Sequence, residues 1–228
     1  RVENHTLLLK NERTESRHVS FLPWKTFRLL LEDRPFAKYM GCQFIFGIGN
    51  LMLMAPLIVI LNDQFQLDYL GEICIVTIVP ILMIPISTPF WATLLNKTHV
   101  LTFRSIHSWF FVVSSLCIGF SIATHFLAGL WIGAVIRGVG FGGGVLAWNL
   151  GHHDYAPIEQ SGRYMGLHVT LTGIRGLLAP AIGMGLYTFL IKLDAPAGSI
   201  VFFVGAFLSA IGGLGFICLA KTRVKQNL

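Results

Sequence analysis

A bilayer's hydrocarbon core is about 30 Å thick, and roughly 20 helical residues cross it. This chain carries six apolar stretches of that order, at about 37–61, 69–95, 105–123, 126–150, 164–191 and 199–220, separated by short polar breaks. Hydrocarbon offers no water to unsatisfied backbone groups, so a spanning segment must be a helix or belong to a closed barrel. The stretches are continuously apolar rather than alternating, which excludes the barrel. The expected fold class is an all-α membrane protein of six transmembrane helices, flanked by a connector at 1–36 and a tail at 221–228. With 54% hydrophobic and 12% charged residues, the chain is too apolar for a soluble domain to solvate.

The net charge of +6 reports orientation in such a protein, not nucleic-acid binding. Arg1, Lys10, Arg13, Arg17, Lys25, Arg28 and Arg34 precede the first span, with Lys38 at its edge. Lys97 and Arg104 fall between spans two and three, Arg163 between four and five, and Lys221, Arg223 and Lys225 after six. The alternate loops hold only Lys192. This bias puts both ends of the segment and the even-numbered loops in the cytoplasm, in a multi-pass cell (inner) membrane protein contacting lipid. No cleavable signal precedes span one, and a start at Arg1 within a basic, polar stretch reads as the remainder of a longer protein.

Within the connector, Phe21, Trp24, Phe27 and Leu31 recur near helical spacing between basic residues, the pattern of an interfacial helix. Pro23 and Pro35 equally suit an irregular loop. Cys42, Cys74, Cys117 and Cys218 lie in four different spans without metal or redox spacing, so they are expected to pack as small apolar residues.

Polar residues inside the spans carry the functional information, because a charge at the bilayer centre costs about 2.5–3.5 kcal/mol even on the lenient insertion scale. Arg137 and Arg175 both fall near the midplane, reached from opposite sides. A guanidinium cannot escape by deprotonating, so each needs a partner, an aqueous cavity or a bound anion. His168, Thr172 and Arg175 follow i, i+4, i+7 and share one face of span five. Gln43, Gly47, Asn50 and Met54 form a milder stripe on span one. These residues are the candidate substrate-binding or cavity-lining set; hydrogen bonding between helices is the alternative use of the neutral ones. Glu72, near the outer end of span two, is a candidate coupling acid or a solvated interfacial glutamate. Glycines crowd span four at 138–144 and flank Pro180 in span five, while Pro80, Pro85 and Pro89 make span two irregular.

Several tracts together carry a family resemblance. Glu32-Asp33-Arg34-Pro35-Phe36 resembles the start of the seventh helix of a major facilitator superfamily transporter. Arg137 to Gly144 is similar to that family's arginine-and-glycine signature, in the symmetry-related tenth helix. Ala179-Pro180-Ala181-Ile182-Gly183-Met184-Gly185 resembles its antiporter Gly-Pro signature. The cytoplasmic gating signature falls on 92–101, with Asn96 at the acid position and Lys97 at the basic one; Arg104 follows in the same loop. Gly151-His152-His153-Asp154-Tyr155-Ala156-Pro157, followed by Gly162-Arg163-Tyr164-Met165-Gly166, resembles the loop between helices ten and eleven. The resemblance, covering about 21–220, implies a carboxy-terminal six-helix half that works with an amino-terminal half of the same protein. It also implies alternating-access transport of a small solute, coupled as antiporter or symporter to a proton or sodium ion.

Two positive midplane groups favour an anionic solute. His152, His153 and Asp154 could instead bind a metal or serve a hydrolase, but adjacent histidines diverge unless the backbone turns sharply. No serine, cysteine or carboxylate constellation supplies partners for catalysis. The expectation is therefore a permease with no enzyme activity, no metal and no cofactor. A non-transporting six-helix sensor or assembly subunit is the alternative, and a membrane enzyme a third reading.

Overall fold

Helices form here because every backbone group must be satisfied within its own segment, and the polar breaks supply the caps that stop them. The structure, a computed structural model, describes residues 27–193 and 196–226. Six helices are long and apolar enough to cross a membrane: α1 (Arg34–Asp63), α2 (Tyr69–Lys97), α3 (Val100–Thr124), α4 (Leu127–Asp154), α5 (Ile158–Lys192) and α6 (Ala197–Lys225). No strand occurs among the described residues. A short helix, Leu29–Glu32, leads into α1; Phe21 and Trp24 of the expected interfacial helix lie outside the described residues.

The caps follow sequence chemistry. Asp33 accepts a hydrogen bond from the Phe36 amide at 3.0 Å at the start of α1, just ahead of Pro35 at its first turn. Asp68 accepts from the Gly71 amide at 2.9 Å at the start of α2. Such caps satisfy amides that a helix start leaves without partners. His99 caps α3 by accepting from the Leu101 amide at 3.1 Å. The α2–α3 connection is thus only Thr98 and His99, and α3 begins five residues earlier than hydropathy suggests.

That early start corrects the expected gating loop. Asn96 and Lys97 sit in the last turn of α2, exposed, while Arg104 lies inside α3 and is 2% exposed. Hydropathy ended the apolar run at Arg104. The helix instead continues through it, because Val100, Leu101 and Phe103 are buried around it.

Two spans are irregular near prolines, α2 as expected and α1 without an expectation, while α5 runs unbroken through Pro180. In α1 the helix is interrupted at Met52 and Leu53. Pro56 lacks the amide that would bond the Met52 carbonyl, and that carbonyl faces Gly183 of α5 so closely that a Cβ there would collide with it. In α2 a wider π turn at Cys74–Ile78 precedes Pro80.

α6 packs against α3 and α1, α2 against α4, α3 against α4, and α5 against α1. The main core joins Leu53, Leu57 and Ile60 of α1 to Ile118, Leu130 and Phe202 of three other helices. A second cluster, around Tyr39, Leu101, Phe111, Leu167 and Phe216, lies toward the end holding the start of α1, the end of α6, the α2–α3 connection and the α4–α5 connection. Among the described residues Arg28, Arg34, Lys38, Lys97, Arg163, Lys221, Arg223 and Lys225 lie at this end. The four cysteines are free thiols.

Candidate functional site

α1 is the surface on which both midspan arginines dock. Arg175 of α5 donates through Nη1 to the Gln43 carbonyl oxygen at 2.8 Å, and its guanidinium lies against Gly47, where any side chain would occupy the same space. About two turns further along α1, the Arg137 Nη2 of α4 contacts the Met54 Sδ at 2.6 Å, and its Cζ lies 5.6 Å from the Phe141 ring centre. The stripe Gln43, Gly47, Met54 thus meets guanidinium groups from two different helices. Both arginines are buried, at 6% exposure for Arg137 and 8% for Arg175, and neither reaches outward toward lipid.

Both charges are deep. Arg137 stands ten residues beyond Leu127, about 15 Å along α4, and Arg175 stands at the middle of α5. None of the ion pairs among the described residues involves either of them. Their contacts are a carbonyl, a thioether and a ring face, neutral groups that offset only part of the cost of burying a charge. The Arg175 Nε has no hydrogen-bond partner.

His168 shares the Arg175 face and is fully buried, its ring 5.8 Å from that of Trp148 on α4, with neither ring nitrogen hydrogen-bonded. Thr172 and Asn50 are half-buried. Gln43 is buried, and its Oε1 has no partner. Arg104, the residue assigned to a loop by hydropathy, is buried with its Nη1 3.5 Å from His107 Nδ1 and its Nε and Nη2 without partners. Hydropathy also passed over His107, one turn further along α3. It is fully buried and bonded through Nε2 to the Gly140 carbonyl at 2.8 Å, within a ring cluster that includes Trp91 and Phe111. The signal was available in spacing: Val100, Arg104, His107 and Phe111 fall on one helical stripe.

Glu72 is half-buried at the opposite end and accepts a hydrogen bond from the Asn62 side chain at 3.3 Å, far from the arginines.

The histidine-rich segment between α4 and α5 forms a clasp. Asp154 accepts from the Val100 amide at 2.6 Å and lies 3.7 Å from His99 Nε2, which ties this segment to the start of α3. His152 Nε2 is 3.1 Å from Ser161 Oγ. Burial beside Tyr39 lifts the Tyr155 phenol well above its ordinary pKa. Nearby, the Tyr164 hydroxyl donates to Asp33 at 2.7 Å and Arg163 pairs with Glu32 at 2.8 Å, joining α5 to the start of α1. Among the described residues no group of three or more histidine, cysteine, aspartate or glutamate side chains is arranged to hold a metal.

Six apolar helices, buried polar groups at mid-depth and a basic end together define a polytopic membrane protein with a polar interior. A model of the Major Facilitator Superfamily matches residues 3–180, and the chain belongs to that family of membrane transporters. Its six spans fit one half of such a protein. No match was found to a curated protein or to a solved structure.

Proposed function

We propose that this chain is the carboxy-terminal half of a secondary active transporter that moves a small anionic solute by alternating access. The observation that carries the anionic character is the burial of Arg137 and Arg175 at mid-depth with only neutral partners among the described residues. At 4 Å, a charge pair in an effective dielectric of 20 contributes about 4 kcal/mol before desolvation, so an anion is the natural complement to such groups. In transporters built from repeats, substrate binds near the midplane between the two repeats, and rocking of one against the other exposes it to each side.

Two helices support a second half packed alongside. Only 17% of the most apolar window of α2 and 22% of that of α5 is buried, against 44–56% for the other four. On α5, Gly166, Gly173 and Gly176 face open space, and small residues of this kind let another helix approach closely. Gln43, Asn50, His168 and Thr172 line the path between α1 and α5 in this reading. A proton or sodium ion drives the cycle, with Glu72 the candidate coupling acid, and the basic end faces the cytoplasm of a cell membrane.

The test is solute flux into proteoliposomes containing the full-length protein, with a panel of anionic, neutral and cationic solutes under imposed proton or sodium gradients. Gradient-dependent uptake restricted to anions is expected. Uptake restricted to neutral or cationic solutes would discard the anion reading, and no flux of any solute would discard transport itself.

A further inference from the structure

Arg104 is the least compensated charge in the described structure. It begins the second turn of α3, yet is 2% exposed. Its only hydrogen-bond contact is a long one, Nη1 to His107 Nδ1 at 3.5 Å, and its Nε and Nη2 have no partner. Burial of an arginine normally comes with a carboxylate or a full set of acceptors. None of the ion pairs among the described residues includes Arg104.

The neighbourhood is also short of acceptors. Arg175 Nε and both His168 ring nitrogens lack partners, and each of these residues is more than nine-tenths buried. The three come from α3 and α5, and adjacent Leu101 and Leu167 sit in one apolar cluster. Gln43 holds Arg175 from α1 through its carbonyl, while Trp148 of α4 flanks His168. Arg104 meets His107, whose ring lies 6.2 Å from that of Phe46 on α1, about one turn beyond the Gln43 carbonyl that holds Arg175, so the two guanidinium groups approach the same stretch of α1. Such like charges hold together only at a cost unless something negative lies between them. Two permanent positive charges and a histidine that can donate one hydrogen bond match an oxyanion carrying two negative charges. Arg137 stands apart, held by Met54 and Phe141.

The geometry points to a dianion subsite formed by Arg104, Arg175 and His168, lying between α3, α5 and α1 on the basic-end side of the midplane. It rests on the transport reading above and narrows it: the solute is a compact dianion such as a dicarboxylate or hydrogenphosphate, and Arg104 is one of its two counter-charges. Arg104 is then a binding residue rather than part of a gating loop.

The experiment is thermal unfolding and titration of the purified full-length protein in phosphatidylcholine nanodiscs at constant ionic strength. Succinate, inorganic phosphate, acetate and chloride serve as probes, with a parallel preparation containing phosphatidylglycerol. Wild-type protein should be stabilised by succinate or phosphate at millimolar concentration, and at least tenfold less effectively by acetate and chloride. Arg104→Gln and Arg175→Gln should each weaken the dianion response at least tenfold, whereas Lys221→Gln, which removes an exposed charge near the end of α6, should shift it less than threefold. In anion-free buffer Arg104→Gln should melt no lower than wild type, because a repelled charge has been removed. Should that variant not fold, Arg104→Lys keeps the charge but loses the fork of donors, and should weaken the dianion response several-fold. A dianion response equal to wild type in a folded Arg104 variant overturns the subsite. Equal responses to acetate and succinate, stabilisation by phosphatidylglycerol alone, or no response to any anion overturns it as well. Flux measured in parallel separates the two readings: dianion binding without flux keeps the subsite and discards transport, while anion flux that Arg104 variants leave intact does the reverse.

Discussion

At the scale of single residues, Gly47 and Arg175 make the sharpest case for side-chain geometry outweighing composition. The guanidinium of Arg175 occupies the space a Cβ at position 47 would need. Gly47→Ala should therefore displace the arginine and lower solute flux about as much as Arg175→Gln does, by tenfold or more, while both variants insert at wild-type levels. Flux assays normalised to the quantity of protein in the membrane check this. Met54 tests the companion contact, since Leu replaces its volume but not the thioether. Met54→Leu should cost less than about 1.5 kcal/mol of stability, the usual range for a volume-conserving swap, measured by thermal unfolding in detergent. Any larger effect on flux than on stability would trace to the Arg137 contact.

At the scale of helices, the interruption of α1 sets how close α5 can come. Pro56 leaves the Met52 carbonyl without its amide partner, and Gly183 lets α5 lie directly against that carbonyl. A side chain at 183 has no space that backbone can yield cheaply, so Gly183→Ala should destabilise by about 1–3 kcal/mol, as overpacking does. Thermal unfolding reads the cost, and loss of flux in the folded fraction would show that α1–α5 contact shapes the solute path. The clasp at the basic end is a second element-scale device. Tyr164→Phe deletes only the hydroxyl that donates to Asp33 and should cost about 1 kcal/mol. Asp33→Ala also removes the α1 cap and should cost more, by up to about 2 kcal/mol. Comparison of the two by denaturation separates the cap from the link between helices.

At the scale of the whole molecule, the described helices cover one another unevenly. α2 and α5 expose most of their apolar surface, and nothing outside its own stretch of helix lies within 4 Å of where a Cβ at Gly173 would stand. Gly173→Leu should therefore leave the six-helix unit's thermal stability within about 0.5 kcal/mol, as substitutions outside packed sites do. It should nevertheless lower flux in the full-length protein by obstructing the other half. Orientation is tested separately, by cysteines placed singly at Lys225 and His125 in a background lacking the four native cysteines. A membrane-impermeant maleimide applied to intact cells should label position 125 and reach position 225 only after permeabilisation, as the basic bias requires. The reverse pattern would invert the topology.

The number of spans, their helical nature and the presence of charge at mid-depth were legible in the chain because hydrocarbon imposes one rule on every residue: satisfy the backbone locally and keep charges rare. Arg137, Arg175 and the Gln43 stripe stood out as violations of that rule. Pro80 likewise marked an irregular turn by chemistry it carries alone, whereas the interruption of α1 beside Pro56 was not anticipated. What no local rule could decide was which helices face one another. Arg104 looked like the end of a loop because a hydropathy window averages over neighbours and has no knowledge of a cap at His99 or of α5 across the bundle. Its burial, like the seating of Arg175 on Gly47, arises from contacts between residues far apart in sequence. Those depend on shape and packing in three dimensions, and only the folded bundle determines them.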